Sequence, residues 1–83
     1  MWQANSAVLI TDLGDELVLM HPERSEMFSL NAAGKLIWQQ LPATLDSLSH
    51  SLEHTYGLTP SQARSDAEVV LEQLRTRDLV NCV

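Results

Sequence analysis

Basic residues are scarce in this chain. Five Lys and Arg stand against eleven Asp and Glu in 83 residues, for a formal net charge of −6. Affinity for nucleic acid comes mainly from neutralising phosphates with Lys and Arg, so unaided nucleic-acid binding is disfavoured. Cysteine is nearly absent: Cys82 stands alone and cannot close an internal disulfide. With no secretory signal pattern either, a reducing cytoplasm is the expected compartment. Long apolar runs are missing as well. They reach about four residues, as at Leu17–Met20, where a membrane helix needs roughly 20. Three Gly and three Pro give few breaks. No low-complexity stretch separates subdomains, and no repeat occurs at solenoid periods. Residues 1–83 are therefore expected to form one domain. A chain this short buries little more than ~60% of the surface its unfolded form exposes, which leaves little wall for a deep catalytic cleft. The 45% apolar content, in turn, is too high for a disordered acidic tail.

What is present is periodicity. Ala7-Val8-Leu9-Ile10-Thr11 reads as a strand, and Asp12-Leu13-Gly14-Asp15 as a turn. Glu16 to His21 forms a second strand, broken at Pro22-Glu23-Arg24. Ser25 to Leu30 alternates as a third, with Phe28 and Leu30 on one face and Met27 and Ser29 on the other. At Asn31 the period becomes helical. Asn31 caps a helix over Ala32–Leu41, whose stripe is Ala33, Ile37 and Leu41, with Gly34 and Trp38 beside it. Gly34 costs up to ~1 kcal/mol against Ala inside a helix, so it predicts the close approach of another element. Pro42 stops this helix. Thr44 caps a second, running to Tyr56 on the stripe Leu45, Leu48, Leu52 and Tyr56, with Gly57 as the left-handed residue that ends it. Thr59-Pro60-Ser61-Gln62 is a capping box with proline at the first helical position. The helix it opens carries Ala63, Ala67, Val70, Leu71 and Leu74 and ends near Asp78, after which Leu79 and Val80 return to the core. The expected fold is α+β, a three-stranded antiparallel meander followed by three helices, βββααα.

The candidates for chemistry are weak. His50 and His54 have a metal-compatible spacing of four, but they point away from Leu48 and Leu52, and His21 is remote in sequence. Cys82 has no His or Asp partner near it. Glu23 and Glu26 flank a turn, where carboxylates are ordinarily solvated. No phosphate loop or dinucleotide fingerprint occurs. No catalytic residue, metal site or cofactor is therefore expected. Trp38 and Tyr56 are placed in the core, while Trp2 either caps the sheet or lies exposed.

The remaining feature is shape. A three-stranded sheet has two edges with unpaired backbone groups. The third strand has only Glu26 as a guard and no internal proline, so as an edge it can accept an extended peptide. The third helix offers a second wall through Asp66, Val69, Gln73 and Arg77, to one side of Val70. A helix with one surface valine is the alternative reading of the same residues.

Two segments carry a resemblance. His21-Pro22-Glu23-Arg24 followed by Phe28-Ser29-Leu30-Asn31-Ala32-Ala33-Gly34-Lys35-Leu36-Ile37-Trp38 resembles the PqqD family. So does Tyr56-Gly57-Leu58-Thr59 with Ala63-Arg64-Ser65-Asp66 and the stretch from Leu71 to Leu79. The likeness covers about residues 7 to 80. It implies a three-strand, three-helix module of winged-helix type that recognises the leader segment of a ribosomal precursor peptide. In the family the leader pairs antiparallel to the third strand, in a groove walled by the third helix. The implied peptide-binding residues are Ser25, Glu26, Met27, Phe28, Ser29 and Leu30 on the strand, and Asp66, Val69, Val70, Gln73 and Arg77 on the helix.

The free-standing length and the Gly34–Trp38 run are similar to the leader-binding proteins of lasso-peptide biosynthesis, whose partner is a leader peptidase of transglutaminase-like type. Pro22-Glu23-Arg24 is nearer to the PqqD of pyrroloquinoline quinone biosynthesis, whose partner is a radical SAM enzyme. The resemblance implies a monomeric binding protein rather than an enzyme. Met27 stands where lasso relatives carry an aromatic, and Glu26 and Asp66 favour a basic leader residue. A winged-helix DNA-binding regulator is the competing class. Against it stand the order of elements and a third helix on which Arg64, Arg75 and Arg77 are outnumbered by Asp66, Glu68, Glu72 and Asp78.

Overall fold

Alternation of apolar residues builds a sheet from the first third of the chain, and helical stripes build a layer against it. A computed structural model describes all of residues 1–83. The elements run β1 (Trp2–Ala4), β2 (Leu9–Asp12), β3 (Leu17–His21), β4 (Glu26–Leu30), α1 (Ala32–Gln40), α2 (Leu45–Tyr56), α3 (Pro60–Thr76) and β5 (Val80–Cys82). The antiparallel meander and the three helices are as expected. The strand order βββααα is corrected, because β1 and β5 form an additional two-stranded sheet, Trp2 opposite Cys82 and Ala4 opposite Val80. The three strands of the meander are thus β2, β3 and β4, in that spatial order. Each of the added strands is three residues long, too short for a readable period, and pairs across nearly the whole chain. The Met1 ammonium also donates to the Val83 carbonyl at 2.8 Å. Trp2 is half-buried and bridges to Ala43 through two backbone hydrogen bonds of 2.8 and 2.9 Å.

The sheet is a single layer. Leu17, Leu19, Phe28 and Leu30 point to the helices and join Val8, Trp38, Leu74, Leu79 and Val80 in one core cluster. A second cluster lies among the helices, where Ile37, Leu48, Leu52 and Leu71 close over the small side chains of Ala63 and Ala67. Val70 and Leu41 touch both clusters. All three helices start as their caps predict. The side chains of Asn31, Thr44 and Thr59 accept from the backbone of Gly34, Ser47 and Gln62, and the Gln62 side chain completes the capping box. Each such cap contributes about 1 kcal/mol. Gly57 ends α2 in the left-handed region, φ 65°.

Two further expectations need correction here. Ser25 is not in the strand. It sits in the β3–β4 turn at φ 52°, its N–H donating to the His21 carbonyl at 2.9 Å. Tyr56 is not core. It is the last residue of α2 and is 44% exposed, at the mouth of an open hollow with Lys35, Leu36 and Gln39. The interface gives out at the helix end although the stripe continues to that residue. On the same helix Ser49 is buried instead, its hydroxyl donating to the Leu45 carbonyl at 2.8 Å.

Gly34 meets its predicted neighbour. A Cβ there would lie 2.9 Å from Leu30 Cδ2 and 3.1 Å from Leu30 Cβ. Leu30 is buried and has little freedom to move. Gly34→Ala is therefore expected to destabilise by about 1 kcal/mol, because overpacking of ~1–3 kcal/mol exceeds the helix-propensity gain. Urea unfolding of the two proteins measures it.

Lys35 fastens α1 to the β2–β3 turn, donating to Asp12 Oδ1 at 2.9 Å and to the Gly14 carbonyl at 2.7 Å. The Lys35 hydrogen bond, aided by the Gly14 N–H, holds the Asp12 carboxyl below the usual carboxylate range. A depressed folded-state pKa contributes stability above the ordinary Asp value of ~3.9 and loses it as pH falls through the folded value. Lys35→Met is expected to return Asp12 toward that ordinary value, as followed by NMR titration of its carboxyl carbon.

Candidate functional site

β4 pairs with β3 on one side only, in the register Leu17–Leu30, Leu19–Phe28 and His21–Glu26. Its other edge presents alternate backbone N–H and C=O groups without a strand partner. Beside that edge runs α3. The C-terminal end of α3 is tied to the β3–β4 hairpin by three contacts.

The central tie is His21. Its side chain is buried, and its Nδ1 accepts the Glu23 N–H at 3.2 Å. The ring therefore donates through Nε2–H, to Asp78 Oδ2 at 3.0 Å. Asp78 follows the end of α3 at φ 59°. Its N–H donates to the Arg75 carbonyl at 3.0 Å, and the Leu79 N–H donates to the Leu74 carbonyl at 2.9 Å. This is a Schellman ending with Asp in the left-handed position usually held by Gly, and Leu74 and Leu79 make its apolar contact in the core. Sequence reasoning missed His21 and Asp78. The only available signal was a helix that ended without the customary glycine.

Arg24 Nη1 donates to the Thr76 carbonyl at 3.4 Å, a second tie. The third is Arg77, whose guanidinium lies 4.7 Å above the Phe28 ring and 3.9 Å from Glu26 Oε2. A cation over an aromatic face contributes about 0.5–1 kcal/mol at an exposed site.

The structure brings together Glu26, Phe28 and Arg77 at one end of the edge, with Gln73 and Arg77 lining a hollow of about 230 Å³ there. Val70 stands half-buried between the two cores. Asp66 is exposed and makes no ion pair, so it carries the free carboxylate on this flank, whereas Glu26 already faces Arg77. Met27 and Ser29 are not brought to α3. Their parity points them to the other face of the sheet, and Met27 is 67% exposed. Val69 is exposed at the crest of α3 and borders a hollow on the far flank with Trp2 and Leu45. Ser25 lies in the turn below the edge.

The remaining arginines of α3 are also engaged. Arg64 reaches Asp46 at 2.7 Å and Glu68 at 3.4 Å, and Arg75 pairs with Glu72. Direct hydrogen bonds raise the pKa of Arg64 and lower that of Glu72. No arginine of this helix is left as a free cation to meet a phosphate backbone. His50 and His54 lie exposed on α2, apart from His21 in the core.

Residues 16–80 match the family described as Coenzyme PQQ synthesis protein D (PqqD). The chain belongs to the PqqD family. As a PqqD-family protein it shares its fold with two solved structures. One is TbiB1 in complex with the TbiA(beta) leader peptide, at TM-score 0.89 and 23% identity, covering 98% of this chain and 96% of that one. The other is a lasso peptide synthetase B1 complexed with the leader peptide, at TM-score 0.86 and 17% identity, covering 98% of each chain. No curated protein matches this PqqD-family chain significantly.

The His21–Asp78 tie predicts an unequal pair of substitutions. Asp78→Ala leaves a buried N–H without its acceptor, about 1–3 kcal/mol, and places a Cβ residue in the left-handed region without local polar compensation, roughly 1–2 kcal/mol. Asp78→Asn keeps both an acceptor and left-handed tolerance and is expected to cost less than half as much. Chemical denaturation of both variants checks the ratio.

Proposed function

We propose that residues 1–83 act as one non-catalytic peptide-recognition unit, which binds the leader segment of a ribosomal precursor peptide by strand addition to β4. The observation that carries this reading is the unpaired edge of β4 standing beside α3, with Arg77 stacked on Phe28 at its end. Main-chain pairing supplies affinity, and side chains of one parity supply register. Glu26, Phe28 and Leu30 share the inward parity of the strand. Asp66, Val70, Gln73 and Arg77 wall the groove, Val69 forms its rim, and Ser25 marks the turn where the edge begins. Met27 and Ser29 contribute backbone to the pairing. Asp66 is the carboxylate available to a basic leader residue. A module of this kind lends surface rather than chemistry, so the reaction belongs to a partner, in the cytoplasm where precursor peptides are made.

The two similar structures support a lasso-peptide setting, with a leader peptidase of transglutaminase-like type or another modifying enzyme as the partner that receives the leader. The family description supports a second reading, a peptide chaperone of pyrroloquinoline quinone synthesis acting with a radical SAM enzyme. Both use the same edge. They are separated by whether the precursor gene beside this one adjoins a peptidase or a radical SAM enzyme.

Calorimetry with the leader encoded beside this chain tests the common core of the reading. Binding tighter than ~100 µM, about −5.5 kcal/mol, is expected. Only alternate residues of an added strand face the protein edge with their N–H groups. Backbone N-methylation of the leader at residues of one parity is therefore expected to weaken binding at least tenfold, and at the other parity less than threefold. Equal sensitivity at both parities would rule out strand addition. Gln73→Trp, which fills the groove from an exposed helix position, should also weaken binding at least tenfold.

A further inference from the structure

A free strand edge offers N–H and C=O groups in alternation, and such an edge accepts a strand running in either direction. Backbone pairing alone therefore does not select the direction of the leader on β4. The helix that faces the edge is not symmetric. Its C-terminal end is tied to the hairpin at His21, so α3 arrives at the hairpin end as β4 leaves it. The earlier turns of α3 stand back along the edge toward Leu30, and Val70 packs against the cluster that holds Phe28 and Leu30. Asp66 lies one turn before Val70, exposed and without an ion pair. Arg77 lies at the opposite, hairpin end. Of the five basic side chains, it alone donates no hydrogen bond. Arg24 donates to Thr76, Lys35 to Asp12, Arg64 to Asp46 and Arg75 to Glu72. Arg77 is engaged through its ring face on Phe28 and its charge toward Glu26, whose Oε2 is 3.9 Å away and beyond hydrogen-bond range. Its N–H groups are unused, and a guanidinium has about five of them.

A strand added to β4 lies against the hollow of about 230 Å³ that Gln73 and Arg77 line. It keeps water from the guanidinium, and donors covered without an acceptor cost free energy. A carboxylate meets them best, through two parallel charge-assisted hydrogen bonds. At the other end Asp66 awaits a cation. The two residues share one side of α3 and stand ~16 Å apart along its axis. An extended strand covers that length in about five residues, and those that face the helix share one parity. The groups that meet Asp66 and Arg77 are therefore about four or six positions apart in the leader.

We infer that Asp66 and Arg77 together fix the direction of the leader. The leader carries a basic residue, read by Asp66, and further toward its C-terminus an acidic residue, read by Arg77. That order is met only when the leader runs antiparallel to β4. A leader laid parallel sets like charges against each other at both ends, which is costly. The inference rests on strand addition at β4. It goes beyond that reading by assigning a carboxylate to Arg77 and by giving the two charges one task. The segment that follows the paired strand then leaves the protein at the hairpin end, beside His21 and Asp78.

The test uses the full chain and the leader encoded beside it, with binding followed by calorimetry. Replacing the leader's acidic residue by Lys is expected to weaken binding roughly fivefold or more. Pairing that peptide with Arg77→Glu is expected to restore affinity to within about twofold. The reciprocal exchange, the leader's basic residue to Glu with Asp66→Lys, is expected to behave in the same way. Arg77→Glu is expected not to rescue the leader altered at its basic residue. If Arg77→Glu loosens the hairpin, the unaltered chain with a leader whose acidic residue is changed to its amide reports the same contact, as a loss of about threefold. A spin label at the N-terminal end of the paired segment is expected to broaden the amide of Leu30 and spare that of Glu26. A leader without this pair of charges, losses that exchange does not rescue, or broadening at Glu26 instead each overturn the inference and leave strand addition standing. Absence of leader binding by the unaltered chain is a separate result, and would overturn the strand-addition reading and this inference with it.

Discussion

The geometry of the candidate site depends on one buried hydrogen bond, His21 Nε2–H to Asp78. It joins the end of β3 to the end of α3 and so sets how far the helix stands from the open edge of β4. Other contacts cluster around it: Arg24 on the last turn of α3, Arg77 on Phe28, and Leu74 and Leu79 closing the core beneath. The ring is held from both nitrogens, so its orientation is not free to drift. Asp78 accepts an unfavourable backbone conformation to make this contact, and the Schellman hydrogen bonds hold it there. A groove whose width is fixed before a ligand arrives avoids part of the ordering penalty of binding.

The second constraint is that the sheet is one layer thick. Strand parity then divides the residues of β4 without exception. Glu26, Phe28 and Leu30 face the helices, and Met27 and Ser29 face away. A peptide added to the edge inherits the same division. One short strand thereby presents two sets of side chains on opposite faces, and substitution on one face leaves the other in place.

Local signals made much of this legible before any coordinates. Thr59 and Gln62 announced α3, Gly57 announced the end of α2, and Gly34 announced the close approach of Leu30. The edge strand and the facing helix were likewise identifiable from alternation and from a helical stripe. What escaped notice was non-local or lay at an element's end. β1 and β5 are three residues each and exist because they find one another across the chain. Tyr56 continues an apolar stripe past the point where its neighbour stops. Met27 lies in the right strand, but the pleat turns its side chain to the face away from α3. Asp78 occupies a glycine's place for a reason held in a histidine 57 residues earlier.

The pairing of β1 with β5 has a topological consequence. The first and last residues are hydrogen-bonded to one another, so the polypeptide enters and leaves at a single point. A fold with adjoining ends can be spliced into a surface loop of a larger protein without stretching either junction. It can equally be circularly permuted, with the ends joined and a new opening cut at the Asp12–Asp15 turn, at the opposite end of β3 from the His21–Asp78 anchor. The same edge and the same outward face could then be carried as a cassette within an enzyme or beside it, with no change to the residues that form them.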